Sequence, residues 1–371
     1  MCESRHPLIM KIVIVIISVF SSSDKMLPMK RVLILVVPLA WLLAACADRE
    51  EPEPAEPGAE APRVVVYTSR QPYLIEPLFA RFTEETGIQV EFTSDNEASL
   101  IERLAAEGAR SPADVFVTVD AGNLWFAAER GILAPLESET LREAIPAELR
   151  DPDDQWFGLS VRARSIVYHR DRVEREELST YEDLADPRWQ GRLCLRTSRK
   201  VYNQSLVAML IHHHGEQRAE EIVSGWVANL ATNPYASDTQ TIEAVAAGQC
   251  DVAIVNTYYL ARLVADDPNY PVAVFWANQG TTGTHVNVSG AAITRHAPRP
   301  IRARALIEWL ASDAAQQEFA QRNLEFPANP AIEADPLVAA WGEFRGDETN
   351  LVVAGQRQSE AVRLMDRAGY R

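Results

Sequence analysis

Tyr258 and Tyr259 are adjacent and follow directly on the apolar run VAIVN at 252–256, which reads as a strand. On a strand, neighbouring side chains point to opposite faces. In the first turn of a helix they stand about 100° apart and can converge on one object. The carboxyl end of a parallel strand is also where α/β sheets place their ligands. A third phenol, Tyr168, lies in the run VRARSIVY at 161–168. A period of two puts Arg162, Arg164, Ile166 and Tyr168 on one face there. Free tyrosine ionises near pH 10, and a neighbouring guanidinium favours the phenolate. Three phenolates, from Tyr168, Tyr258 and Tyr259, would form a hard trianionic oxygen site. Such a site suits a hard trivalent cation such as Fe³⁺ over zinc or copper(I). Arg162 and Arg164 could then hold a small bidentate anion that completes the coordination. The alternative is that these tyrosines are amphipathic wall residues that stack on an organic ligand or pack between lobes.

The elements that must position these residues alternate between strand and helix. VVVYT after Arg63 reads as a buried strand. Ile75, Leu78, Phe79 and Phe82 follow at helical spacing, and Gly87 closes that helix. A strand at 88–92, a helix at 100–107, a strand at 113–119 and a helix at 124–130 continue the rhythm. After a long extended run at 156–168 come a strand at 192–196, helices at 203–213, 217–230 and 239–247, and a strand at 251–256. Pro300 opens a helix with Ala305, Leu306, Trp309 and Leu310 on one face. A last helix is expected over 351–366. The pattern predicts an α/β fold of two lobes, with the chain crossing between them and a parallel sheet covered on both faces.

Composition narrows the function. The chain has 371 residues, 47% of them hydrophobic, which excludes disorder throughout. Its 52 acidic against 36 basic residues give a net charge of −16. That balance disfavours a nucleic-acid backbone as partner, and equally adhesion through charge to an anionic membrane surface. No G-x-G-x-x-G follows a strand, and P-loop, H-E-x-x-H, G-x-S-x-G and C-x-x-C motifs are absent. Nothing pairs a nucleophile with a base, so binding is expected rather than catalysis. His212, His213 and His214 precede Gly215, where a helix should end and cations favour its dipole.

The amino terminus reads as an address. Lys30 and Arg31 precede an apolar run and the sequence LAAC at 43–46, the layout of a secretory signal. Its end resembles the bacterial lipoprotein processing box, so residues 1–45 are expected to be removed and Cys46 acylated. Met29 would open a signal of ordinary length, so residues 1–28 are expected to be a start-site artefact. Residues 46–62, rich in Pro and Glu, form a solvated tether. Beyond it only Cys194 and Cys250 remain. Each sits in an apolar strand-like run, in a compartment that permits oxidation, and the two are expected to pair.

Six segments, in order, carry a resemblance to one family. They are VYTSRQPYLIEP at 66–77, SPADVFVTVDAG at 111–122, WFGLSVRAR at 156–164, VYNQSL at 201–206, GQCDVAIVNTYY at 248–259 and GTHVNVSG at 283–290. The chain resembles the bacterial periplasmic ferric-ion-binding proteins, substrate-binding components of iron ABC transporters. The resemblance covers essentially residues 63–371. It implies a type II periplasmic-binding fold with two α/β lobes, hinge crossover strands and a central cleft that closes on the ligand. The lobes are expected to comprise 63–164 with 289–339, and 165–288 with 340–371. It implies Fe³⁺ held by Tyr258, Tyr259 and Tyr168, with carbonate, another small anion or water completing the shell. Many members carry a His, or a His-Tyr pair, after the Ser-Arg of the first motif. Here Gln71-Pro72-Tyr73 stands there, which makes Gln71 and Tyr73 cleft contacts. Arg162 and Arg164 are expected to hold the anion or support the ligands. The implied partner is an inner-membrane ABC permease, served by a monomer lipid-anchored in the periplasm. The runner-up is a binding protein of the same fold for a phosphonate, thiamine or a polyamine.

Overall fold

Six residues, Arg63–Thr68, form the first strand, β1, and its neighbours set the plan of the molecule. The computed structural model describes residues 61–371; the signal segment, Cys46 and the tether up to residue 60 lie outside the described residues. The strands that follow are β2 (Gln89–Ser94), β3 (Val115–Val119), β4 (Leu133–Ala134), β5 (Phe157–His169), β6 (Leu193–Cys194), β7 (Val252–Asn256), β8 (Val272–Phe275), β9 (Val286–Thr294) and β10 (Phe326–Pro327). The longer helices are α1 (Pro72–Thr86), α2 (Glu97–Glu107), α3 (Ala121–Glu129), α4 (Val201–His214), α5 (Glu216–Ala228), α6 (Asp238–Ala246), α7 (Thr257–Asp266), α8 (Pro300–Leu310) and α9 (Asp313–Asn323). Val352–Gln356 (α10) and Gln358–Arg367 (α11) close the chain. The single carboxyl-terminal helix expected over 351–366 is thus divided at Arg357.

The strand order is β2-β1-β3-β9-β5-β7-β6. Only β1 with β2, β1 with β3 and β6 with β7 pair in parallel. The expectation of a parallel sheet is therefore corrected to a mixed one. The reason is that β5 and β9 run antiparallel to their neighbours and carry the chain between two half-sheets. Thirteen residues long, β5 belongs to both halves. Its residues from Phe157 to Ala163 pair with β9, whereas Arg164 to Tyr168 pair with β7. At ~3.3 Å per residue the strand spans roughly 40 Å. Where β5 and β9 lie closest, Gly290 is required: a Cβ there would stand 2.5 Å from the Phe157 carbonyl oxygen.

Apolar periodicity explains how the helices seat. The stripe Ile75, Leu78, Phe79 and Phe82 of α1 is buried against the first half-sheet. The buried stripe of α8 is Ala303, Leu306, Ile307 and Leu310, displaced from the face expected from sequence. Trp309 lies at its edge, donating its indole N–H to Glu85 at 2.7 Å. One apolar cluster fills the first half-sheet and continues under one face of the second, through Val255, Leu260 and Trp276. A second cluster, built from α4, α5 and α11, covers the opposite face of the second half-sheet. Among the described residues no helix is long and apolar enough to cross a membrane.

Cys194 in β6 and Cys250 ahead of β7 form a disulfide, 56 residues apart in sequence, with Cα atoms 5.9 Å apart. It closes a loop that contains α4, α5 and α6. Replacing both cysteines by alanine is expected to cost about 4 kcal/mol, the chain-entropy value for a loop of this length. Urea denaturation of the variant against the oxidised parent checks this, and a loss below about 1 kcal/mol would contradict it.

Candidate functional site

A cleft of about 170 Å³ opens between the two half-sheets, and its walls are chemically unusual. Four phenols line it: Tyr202, Tyr258 and Tyr259 within, and Tyr73 on the rim. Around them stand Arg70, Arg162, Arg196, Lys200 and Arg262, with Glu325 as the acidic member. Among the described residues no three His, Cys, Asp or Glu side chains are grouped to hold a metal. For a metal in this cleft, the phenols are the oxygen donors on offer beside Glu325.

The phenols arrive from helix amino termini. Tyr258 and Tyr259 occupy the first turn of α7, immediately after β7, and their ring centroids are 4.2 Å apart. Tyr202 occupies the first turn of α4. What gathers these turns is Arg164, 1% exposed. Its guanidinium donates to Asn203 of α4 at 2.7 and 3.0 Å, to Asp238 of α6 at 3.1 Å, and to Asn256, which caps α7, at 3.1 Å. One buried cation thus binds the starts of three helices. Two of those starts carry the phenols.

Several expectations about single residues need correction. Of the two roles expected of Arg164, the anion contact does not fit: it lies behind the cleft, bonded to the groups just named and to the Ile254 carbonyl, which fits the supporting role instead. Tyr168 does not join the tyrosine pair. It sits in the second apolar cluster, paired on β5 against Val252 and Ala273. Six residues of strand, roughly 20 Å, separate it from Arg162, so sharing a face of β5 does not bring the two to one place. The phenol that stands with the pair inside the cleft is Tyr202, also carried in the first turn of a helix. The signal that could have found it was in view: a tyrosine in the first helical turn after a short strand. The expected helix began at 203, one residue too late to include it.

Other expected contacts do lie at the cleft. Arg162 lines it, donates to Ser289 at 2.6 Å and stands 5.6 Å from the Tyr202 ring centroid. Gln71 and Tyr73 lie at the start of α1 on its rim, and Tyr73 is 62% exposed. Arg262 reaches between phenols, 5.0 Å from the Tyr258 ring centroid and 3.4 Å from the Tyr73 hydroxyl. Arg70 and Glu325 form a buried ion pair at 2.9 Å on the cleft floor.

The electrostatics run against spontaneous ionisation of Tyr258 and Tyr259. Burial pushes Tyr258 well above the ordinary phenol value, the charges of Tyr202 and Tyr259 add to that, and Arg162 opposes it. Burial likewise raises Tyr259, aided by Tyr202 and Asp238 and opposed by Arg196. The arginines favour the phenolates, as expected, but desolvation outweighs them. An incoming cation must displace those protons. Meanwhile Arg70 Nε, Arg162 Nε, Arg196 Nε and Nη1, and Arg262 Nη2 are buried without hydrogen-bond partners. Buried donors of this kind are costly unless satisfied, and anions satisfy them well.

Known proteins resemble this chain over most of its length. Residues 110–341 match the family described as bacterial extracellular solute-binding protein. Iron uptake protein A1 of Synechocystis is 42% identical over 342 residues, covering 91% of this chain and 95% of that protein. FutA (IdiA) of Trichodesmium, solved in complex with iron and citrate ligands, superposes with a TM-score of 0.80 at 43% identity, covering 83% of this chain and 100% of that one. Apo FutA2 of Synechocystis superposes at 0.79 with 42% identity, over 84% of this chain and 100% of its own. The two half-sheets joined by β5 and β9 are a type II periplasmic-binding fold. The chain belongs to the family of bacterial extracellular solute-binding proteins.

Proposed function

We propose that this protein captures ferric iron in the cleft and delivers it to an inner-membrane ABC permease. The observation that carries the reading is the convergence of Tyr202, Tyr258 and Tyr259 on one small cleft ringed by cations. Three phenolates neutralise Fe³⁺, and they are hard donors matched to a hard cation. The iron-containing structure of a relative at 43% identity supports the same cargo. The five cationic side chains against Glu325 leave the cleft positive, so iron enters with an anion, carbonate or another small one, held by the arginine donors that lack hydrogen-bond partners. The volume also favours an ion with a small anion. Pockets that enclose drug-sized organic ligands measure about 300–1,000 Å³, and this cleft is smaller.

In this reading residues 63–164 with 289–339, and 165–288 with 340–371, move as two lobes about β5 and β9. Closure removes water from the iron, and the closed form is the one the permease recognises. The work is capture without catalysis, by a monomer held in the periplasm through lipid on Cys46.

The reading predicts proton release. Because Tyr258 and Tyr259 are held above the ordinary phenol value, both are protonated at neutral pH and must lose their protons to bind the metal. From this pair the expected yield is about two protons per iron, less any taken up by the incoming anion. Affinity therefore falls as pH falls. An indicator-dye titration with weakly chelated Fe³⁺ measures the yield. Release of no protons, with iron still bound, would remove the phenolates from the site.

A further inference from the structure

We propose that Asp120 is the positioning residue that sets Tyr202 in register with the rest of the cleft. The proposal rests on the iron reading above and adds to it a residue outside the cleft wall. Asp120 directly follows β3 on the first half-sheet and is wholly buried. Its two carboxylate oxygens both accept from the Ser205 hydroxyl at 2.8 Å. Oδ2 also accepts from the Asn287 amide nitrogen at 2.9 Å, and Oδ1 from the Gly122 backbone N–H at 2.9 Å. Asn287 lies in β9, one of the two strands that join the half-sheets. Ser205 lies in α4, on the second half-sheet, three residues after Tyr202. Positions three apart share one side of a helix. A carboxylate fixed to the first half-sheet and to β9 therefore holds the face of α4 from which the Tyr202 phenol projects.

The backbone makes the case independent of the hydrogen bonds. Asp120 has φ 76° and ψ 126°, outside the regions that L-residues ordinarily occupy. Such a conformation persists where the surroundings over-determine it, and it marks sites where placement matters. A glycine would adopt it without strain but would supply no carboxylate. Capping α3 needs only the oxygen that accepts from Gly122. The contacts to Ser205 and Asn287 go beyond that requirement and reach across the molecule.

The test is a double-mutant cycle on the full chain, read by competition for Fe³⁺ with a weak chelator and by the visible charge-transfer band. Ser205→Ala removes one hydroxyl and is expected to weaken iron binding about ten-fold and to shift the band. In a Tyr202→Phe background the same substitution is expected to have no further effect on affinity, because its action runs through that phenol. Asp120→Asn, which keeps an acceptor for Ser205, is expected to be milder than Asp120→Ala. Circular dichroism confirms that each variant is folded. Equal losses from Ser205→Ala in both backgrounds would assign the contact to general stability and overturn the proposal. So would a silent Ser205→Ala beside a weakened Tyr202→Phe. If Tyr202→Phe itself leaves affinity and band unchanged, the iron reading fails first and the anchor falls with it.

Discussion

Replacing Tyr202 by phenylalanine is expected to weaken Fe³⁺ binding by at least about 100-fold, whereas Tyr168→Phe leaves it within about two-fold. Loss of an outer partner of a metal ligand costs about 10–100-fold in affinity, and loss of a direct ligand costs more. The contrast follows from position alone. Tyr202 stands in the cleft with three cations near its ring: Lys200 Nζ at 4.9 Å, Arg196 at 5.5 Å and Arg162 at 5.6 Å from the centroid. A charged phenolate there has partners on several sides. Tyr168 packs among Ile166, Val252 and Leu206 in the second cluster. Both changes remove a single hydroxyl, so the pair separates ligation from packing. Competition with a chelator of known iron affinity gives both numbers. Equal effects, or a larger effect at Tyr168, would refute the assignment of the third phenol.

The second large effect concerns stability. Arg164→Met is expected to destabilise the fold by about 3–5 kcal/mol, the cost of leaving one charge of a buried pair uncompensated. Asp238, 0% exposed, would be that charge. Its remaining contacts are the Asn256 N–H at 3.3 Å and the Arg196 guanidinium at 3.8 Å. Asn203 and Asn256 would lose their donor as well. The double variant Arg164→Met/Asp238→Asn should recover part of the loss, since removing both charges ends the mismatch. Urea denaturation measures all three variants. Because Asn203 and Asn256 flank the phenols, iron affinity should fall together with stability. A loss below about 1 kcal/mol would show that α4, α6 and α7 are held at their starts by something other than this cation.

Much of this was legible in the residues. The helix Pro72–Thr86 and the strand Arg63–Thr68 declared themselves because each buries one periodic face in a single half-sheet. The pair Tyr258–Tyr259 was readable because strand, turn and helix follow one another without a break. Tyr168 was misplaced for a definite reason. Periodicity reports the face of a strand but not which part of a long strand faces a cleft, and β5 serves two half-sheets. Tyr202 was passed over because the helix carrying it has ten buried residues on all sides, from Val201 to Ile211, and so no apolar stripe to mark its start. β8, four residues long, carried too little pattern to be read. The antiparallel course of β9 depends on pairing across 120 residues and more, which no local pattern encodes. Whether Arg164 would hold the anion or support the ligands stayed open for a similar reason. A buried arginine and a cleft arginine read alike in sequence, and only the positions of Asn203, Asp238 and Asn256 tell them apart.

The iron reading also explains a cleft that would otherwise be unfavourable. Five cationic side chains face one another across a small space, and several of their buried N–H groups lack partners. Adding Fe³⁺ to such a site is opposed by charge unless phenolates and an anion come with it. Each component therefore needs the others: the metal ionises the phenols, the phenolates neutralise the metal, and the anion satisfies the arginines. That mutual dependence makes capture sensitive to pH. Release then follows from protonation of the phenols or from reduction of the iron, which lowers its charge.

The most direct measurement is a visible absorption titration of the protein with Fe³⁺ supplied as a weak chelate. A broad tyrosinate-to-iron charge-transfer band that saturates at one iron per chain, and that shifts or vanishes in Tyr202→Phe, Tyr258→Phe and Tyr259→Phe, is the result the three-phenol site predicts. A protein that binds iron without colour, or one that stays colourless and iron-free at saturation, would contradict it.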